Sequence, residues 1–438
     1  MLIFLLLLFL IQIVLIPQSD SILISNEEKL EILFQDESID DPDFLDRLKE
    51  LEANPCDLNS VDLNTLLTLP FVNLSVANAI VNYRLKYGRF FSVAELNNVE
   101  GIDKISLEYI YRFFTVKNIH TQEKESLPQI KSSLTPETAF FRLRQLTIPF
   151  LANDNNNTFI GSSGIMLKSY LRGIYNSEKL FVNILMEKDR GEMNFLDFYS
   201  GNLSYKTESF IKQISLGDFY VQFGQGLILW TPYRIPKSIS INLPVLRKAR
   251  TIIPSKSSEE NRFFRGAAIA INYQILDLSI FYSQNKIDAA VSDDGVVSSL
   301  PSDGFHRTDN EINKKDKLKE STLGSIINLN LFENFKTGLC IVNSKYDKLI
   351  DVESINNLLN KNTVSHYSFF YEYLNSGFNL SGEIASDGSS VSSINSLQTE
   401  IAKGLLFVFS VRKYAKNFYS LHASSFGEHA LNSDNESG

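Results

Sequence analysis

Residues Leu180-Phe181-Val182-Asn183-Ile184-Leu185-Met186-Glu187 alternate with a period of two. Leu180, Val182, Ile184 and Met186 make one wholly apolar face; Phe181, Asn183, Leu185 and Glu187 make a mixed face that carries a charge. Successive side chains of a strand point to opposite faces, so this spacing specifies a strand lying between two unlike surroundings. Lys168, Tyr170 and Arg172 likewise oppose Leu167, Ser169 and Leu171, and Arg142 and Arg144 alternate with Phe141, Leu143 and Gln145. Segments of about 9–11 residues with one greasy face suit a transmembrane β-barrel. A soluble sandwich has the same period, so alternation alone leaves both open.

The connections separate the two. Strands are predicted near 139–148, 163–175, 179–187, 197–205, 210–219, 262–273, 277–285, 321–331, 335–345, 364–373, 377–386, 396–414 and 418–424. Tight links at 176–178, 206–209, 274–276, 332–334, 374–376 and 415–417 take turns with long polar ones at 149–162, 188–196, 220–261, 286–320, 346–363 and 387–395. Outer-membrane barrels of bacteria have short turns on the periplasmic rim and long loops outside; a sandwich has no physical reason for that alternation. Lys403-Gly404 interrupts the segment 396–414. An odd strand count leaves an edge, because bacterial single-chain barrels have even counts. The expectation is therefore a barrel truncated at its C-terminus, the alternatives being closure by another chain or a miscounted strand.

The 438 residues are 44% hydrophobic and 12% aromatic, which excludes disorder for most of the chain. Two cysteines, Cys56 and Cys340, exclude a disulfide scaffold and a Cys-rich zinc module. The net charge of −9 is concentrated in 22–53, where eleven acids face three bases in a segment with helical apolar spacing. The acidic balance argues against a chain devoted to wrapping nucleic acid. Residues 1–16 are almost entirely Leu, Ile, Phe and Val, and Ser19-Asp20-Ser21 offers a small-x-small cleavage site. That reads as a signal peptide over 1–21, with an uncleaved anchor as the alternative.

Residues 54–119 read as a tandem helical module. Leu58, Val61, Leu66 and Leu69-Pro70 suggest a short capped helix; Ala77, Ile80, Val81 and Tyr83-Arg84 continue with helical spacing until Tyr87-Gly88-Arg89-Phe90. Ser92 with Glu95 forms a capping box before Leu96, Val99 and Gly101-Ile102. This stretch resembles the tandem helix-hairpin-helix module of secreted competence-type DNA receptors. The resemblance implies two hairpins whose Gly-hydrophobic-Gly turns bring backbone N–H groups to a DNA phosphate at a helix N-terminus. Here the first hairpin reads Phe71-Val72-Asn73, without either glycine, and the second Gly101-Ile102-Asp103 before Lys104. Residues 54–119 hold six bases and six acids, no surplus for releasing counterions from DNA. A protein-contact role is expected for the module, with DNA as the alternative partner.

After a polar linker at 120–138, Gly217-Asp218-Phe219, Phe223-Gly224-Gln225-Gly226-Leu227, Lys237-Ser238 and 258–266 resemble a family of uncharacterised outer-membrane proteins that pair such a module with a barrel. Arg234, Lys237, Arg247, Lys248, Arg250 and Lys256 make the loop 220–261 basic. With Arg265 these are candidates for a lumen constriction or for meeting acidic lipopolysaccharide; a solvated loop with local ion pairs is the plainer reading. The five histidines, His120, His306, His366, His422 and His429, have no metal-site spacing, and no nucleophile elbow or phosphate loop occurs. His366 and His422 fall on predicted strands. No catalytic residue, metal or cofactor is expected. The expected architecture is α + β in separate domains: a small all-α helix-hairpin-helix domain at 54–119, then an antiparallel transmembrane β-barrel at 139–438. The expected function is non-enzymatic, as pore, receptor or assembly partner in the outer membrane with the module in the periplasm. Its expected partners are outer-membrane lipid and an envelope protein. A DNA-uptake protein and a secreted soluble adhesin-like β protein are the alternatives.

Overall fold

A computed structural model describes residues 55–67, 69, 72, 74–99, 102, 107, 111–116, 136–147, 167–232, 247–301, 304–332, 334–350, 362–375, 377–402, 405–415 and 418–424. The expected signal peptide, the acidic segment 22–53 and most of the linker lie outside them.

Strands β1 (Cys56–Asp57) and β2 (Phe114–Thr115) pair in parallel and tie together the ends of the helical module. Between them lie α1 (Leu63–Leu66), α2 (Leu74–Tyr87) and the 3-10 turns Val93–Asn98 and Tyr111–Phe113. Asp62 caps α1 by accepting from the Thr65 amide at 2.7 Å, and Gly88, at φ +89, ends α2. The helix expected after Ser92 forms as a 3-10 turn, with Glu95 reaching back to the Ser92 amide at 3.0 Å. Leu58, Leu66, Val72, Leu74, Ala77, Ile80 and Leu96 make its core. Arg84 spends its guanidinium on the carbonyls of Leu58 and Val61, at 3.0 Å each.

The remainder is one antiparallel sheet. Its members are β3 (Pro136–Thr147), β4 (Leu167–Ser177), β5 (Leu180–Lys188), β6 (Phe198–Lys206), β7 (Ile211–Gln222), β8 (Thr251–Pro254), β9 (Phe264–Tyr273) and β10 (Leu276–Ile287). After a small hairpin of β11 (Ala290–Val291) and β12 (Val297–Ser299) and the helical turn α3 (Asp309–Ile312) come β13 (Leu318–Phe332), β14 (Phe335–Tyr346), β15 (Thr363–Leu374), β16 (Phe378–Ser386), β17 (Val391–Ala402) and β18 (Leu405–Lys413). The ladder follows chain order from β3 to β18, except that β9 succeeds β7, β13 succeeds β10, and β8 branches off β7. Among the described residues β3 and β18 are not paired with each other and form its two edges.

Tight and long connections alternate as expected, with two corrections at the C-terminal end. The segment 396–414 is not one strand: β17 and β18 fold back on each other, so that Ala402 faces Leu405. The long loop expected at 387–395 is a four-residue turn, held by Asp387 accepting from the amides of Ser389 and Ser390 at 2.8 and 2.7 Å. Nor is 418–424 a strand. It runs buried against the inner face of the sheet.

The outward face of the sheet is apolar and exposed, while the inward face buries polar side chains alongside apolar ones. In the quoted stretch Ile184 and Met186 are exposed while Phe181, Asn183, Leu185 and Glu187 are buried. The same holds across the sheet: Leu216, Ile280, Tyr282, Leu323, Leu339, Ile341, Phe369, Ile384, Phe407 and Phe409 are exposed. Ser204, Ser215, Ser283, Thr322, Ser344, Ser368, Ser381, Glu383 and Ser396 are buried.

Strand β7 shows how the inner side is filled. It pairs with β6 only as far as Asn202 opposite Gly217. Gly217 has φ +94, and a Cβ there would lie 2.1 Å from the Gly201 carbonyl oxygen, so only glycine fits. Beyond it β7 leaves β6 and takes β8 as its neighbour. Asp218 bridges the split: it accepts from the Gly201 amide at 3.2 Å and from Arg265 at 2.7 and 2.9 Å. The inner core then joins Phe223, Leu227–Leu229, Tyr414 and Phe418 to one or two side chains from every sheet strand between β7 and β17.

Candidate functional site

The first centre is the turn Phe223-Gly224-Gln225-Gly226-Leu227. Gly224 (φ +54) and Gly226 (φ +89) adopt left-handed conformations, which turns successive amides toward one point. Glu383 of β16 occupies that point, accepting from the amides of Gln225 at 2.6 Å and Leu227 at 3.1 Å and from the Ser368 hydroxyl at 2.7 Å. A Cβ on Gly224 would lie 2.6 Å from the Glu383 carboxylate. Sequence reading found the glycines but not their partner, 158 residues away.

The second centre is the C-terminal inner segment. Ser424 donates its amide to the Gly226 carbonyl at 3.1 Å, and the Trp230 amide donates to the His422 carbonyl at 2.8 Å. His422 Nε2 meets Glu320 at 2.9 Å, Tyr346 donates to the same carboxylate at 2.9 Å, and the His422 ring lies 4.1 Å from that of Phe264. His366 Nε2 donates to the Tyr419 carbonyl at 2.7 Å. So His366 lies on a strand as expected, whereas His422 does not. Both histidines hold chain in place.

The third centre lies among the long connections. The ring of His306 is clamped between two carboxylates: Nδ1 against Asp197 and Nε2 against Asp288 at 2.9 Å. Lys315 reaches Asp197 at 2.7 Å, and Glu192 accepts the His306 amide at 3.1 Å. Glu260 lines the adjoining cavity of about 420 Å³, together with Asp288 and His306. Burial alone disfavours an imidazolium, but hydrogen bonds and charge from Asp197 and Asp288 outweigh it and push the His306 pKa up to about 10. Burial pushes Glu260 up to about 9, with His306 pulling the other way. Glu192, Asp197 and His306, or Glu260, Asp288 and His306, bring their ligand atoms within 4.8 Å. A metal needs a neutral ring with a free lone pair. Here both nitrogens face carboxylates, and Lys315 adds a second cation. The geometry is that of a staple joining three loops. Its residues are scattered over more than a hundred positions, and no local spacing announced them.

The expected hairpin residues Phe71, Asn73, Gly101, Asp103 and Lys104 lie outside the described residues. Of the others, Val72 is fully buried and Ile102 packs against the module core. The first turn of α2, where a phosphate is expected from the resemblance, is covered: Leu74, Ser75, Val76, Ala77 and Asn78 are all buried. Ser75 donates to Glu400 of β17 at 3.1 Å, and Leu374, at the end of β15, joins the module core. The module thus packs on the sheet rim that carries the short turns.

The basic residues expected at a constriction divide. Arg234 and Lys237 lie outside the described residues. Arg247 is buried and donates to the carbonyls of Gln225 and Ser424, over the Trp230 ring. Lys248 pairs with Glu372 at 3.1 Å, and the Arg250 amide donates to Gln222 at 3.1 Å. Arg247 lies in the filled interior, Lys248 is half-buried and Arg250 is exposed. Arg265 lies on the other face of β9, paired with Asp218 and stacked over Tyr199.

Residues 52–115 match the helix-hairpin-helix motif. No curated protein matches the chain. Among solved structures it is similar to substituted forms of the porin of Rhodopseudomonas blastica. One is 10% identical over 65% of this chain and 96% of the porin, with a TM-score of 0.21. A triple mutant is 10% identical over 63% of this chain and 94% of the porin, with a TM-score of 0.20. The chain joins a helix-hairpin-helix module to a long antiparallel sheet.

Proposed function

We propose that the chain is a non-enzymatic outer-membrane β-barrel protein whose interior is occupied by its own segments, acting as a receptor or assembly partner. The observation that carries this is the exposed apolar outer face of the sheet, set over an inner face that buries polar groups. Leu323, Ile341 and Phe409 are 56, 52 and 54% exposed, while Glu383, Ser204 and Thr322 are 0% exposed. Burying one such apolar side chain is worth about 1.5–3 kcal/mol, and a soluble monomer rarely exposes an apolar patch beyond a few hundred Å². Lipid removes that cost. Sheet strands of 9–15 residues, leaving aside the short branch β8, are long enough to span. A secreted adhesin-like protein with this surface would aggregate.

The protein is expected to resist carbonate extraction, to need detergent for solubility, and to migrate faster on gels unheated than boiled. A fully soluble chain with a single band position would end the membrane reading.

The filled interior favours a receptor or assembly role over an open diffusion pore. The module, packed on the short-turn rim, belongs in this reading to the periplasm, where an envelope protein is its partner. The DNA alternative has less support, since the first turn of α2 lies against the sheet with Ser75 on Glu400. Full-length protein in detergent is expected to retard no DNA at physiological salt. Micromolar retardation that weakens steeply between low and high salt would restore the DNA reading.

A further inference from the structure

On the outward face of the sheet, Lys286 of β10 stands directly opposite Lys319 of β13. Both are exposed, and neither side chain makes an ion pair among the described residues. Like charges directly opposed in a ladder destabilise it. One pair further on, Lys345 of β14 faces Ser321 on the same exposed side. Arg265 completes the group, and its charge is already shared with Asp218. The nearby acids do not settle the lysines. Asp347 is paired with Lys348 at 2.9 Å and accepts the Lys319 amide at 2.8 Å, so the Lys319 ammonium shares its charge without an ion pair, and Asp197 and Asp288 are taken by His306 and Lys315. Among the described residues Asp316, near Arg265, and Glu260, whose carboxyl burial pushes up, line the same cavity without an ion pair.

Two features say what belongs there. Lys286, Lys319, Arg265, Gln284 and Tyr199 line the mouth of the cavity of about 420 Å³. Along the same face toward the short-turn rim come the polar Gln284 and Ser321, and after them Tyr282, Ile280 and Leu323, all exposed. The cations therefore stand two outward positions above the greasy band, about 13 Å along the strand, a gap that long lysine stems and the phosphate-bearing sugars of a glycolipid span. That is where lipid headgroups meet a membrane protein.

We propose that Lys286 and Lys319, with Arg265 beside them, bind the phosphate of an outer-leaflet phosphoglycolipid whose acyl chains lie along the outward band. The proposal rests on the membrane reading. A bridging phosphate turns the opposed lysines from a repulsion into a shared contact, and the cavity takes the sugar.

The test uses full-length protein in zwitterionic detergent, with a phosphorylated glycolipid, its dephosphorylated form, and inorganic phosphate at equal concentration. Wild type is expected to bind and be stabilised by the phosphorylated lipid alone. The double variant Lys286→Gln, Lys319→Gln is expected to lose about tenfold or more in affinity, on the scale of one Lys–lipid contact each. Without lipid it is expected to be at least as stable as wild type, because the repulsion is gone. A double arginine variant should keep binding, and it stands in if the glutamine variant does not fold. Equal affinity in wild type and a folded glutamine variant overturns the site, and equal stabilisation by inorganic phosphate overturns the lipid. Wild type that shows no band shift on boiling overturns the membrane reading itself.

Discussion

Replacing Glu383 with alanine is expected to destabilise the protein by about 3–5 kcal/mol, read as the urea midpoint at which the unheated fast band disappears. Three donors converge on this carboxylate in a site without solvent: the amides of Gln225 and Leu227 and the Ser368 hydroxyl. Leaving a buried donor without its acceptor costs about 1–3 kcal/mol each, and a truncated charged partner sits at the upper end. Glutamine keeps one acceptor oxygen in place, so Glu383→Gln should lose less, about 1–3 kcal/mol. The same turn anchors the C-terminal inner segment through the Ser424 amide on the Gly226 carbonyl. Protease cleavage after the segment 414–424 should therefore rise in the alanine variant. A midpoint shift equivalent to less than about 0.5 kcal/mol would show that the Gly-rich turn does not depend on its anion.

His306→Leu is expected to loosen the long loops while leaving the strands intact. It removes the cation between Asp197 and Asp288, and breaking a buried ion pair costs about 3–5 kcal/mol. The loss is local, so hydrogen exchange should accelerate in 189–197 and 288–317 and stay slow in β13 to β16. The wild-type pH dependence follows from linkage. The folded pKa of His306, about 10, lies above its unfolded value of 6.5. Its contribution is therefore complete below pH 6.5 and lost as the pH rises through about 10. Glu260 acts with the same sign: its carboxyl, raised to about 9, holds a proton in the folded state that the unfolded chain gives up near 4.5. Loop protection should decline from about pH 4.5 to 10, Glu260 acting from the low end and His306 from 6.5 upward, and His306→Leu should flatten the part above pH 6.5. An unchanged slope in the variant would assign the pH dependence to other groups.

The alternation of Leu180 to Glu187 was enough to define a strand, its two unlike faces and which face carried charge, because strand geometry couples sequence parity directly to direction. The order of tight and long links was legible for the same kind of reason: turns are local chemistry, and Gly88, Asp62 and Glu95 act within a few residues of themselves. The hairpin of β17 and β18 was visible in sequence only as an interruption at Lys403-Gly404, since apolar residues on both sides kept the period running. What sequence alone could not supply was the filling of the interior. Residues 223–230 and 418–424 are buried on all sides, so they carry no period and read as loop or strand. The pairings that give them meaning, Glu383 with Gln225, His422 with Glu320, Asp197 with His306 and Ser75 with Glu400, join positions about a hundred or more residues apart. Local propensity and spacing reach only as far as one helical turn or one hairpin. Contacts at that separation exist only once the sheet has curled and brought distant strands to a common inner face.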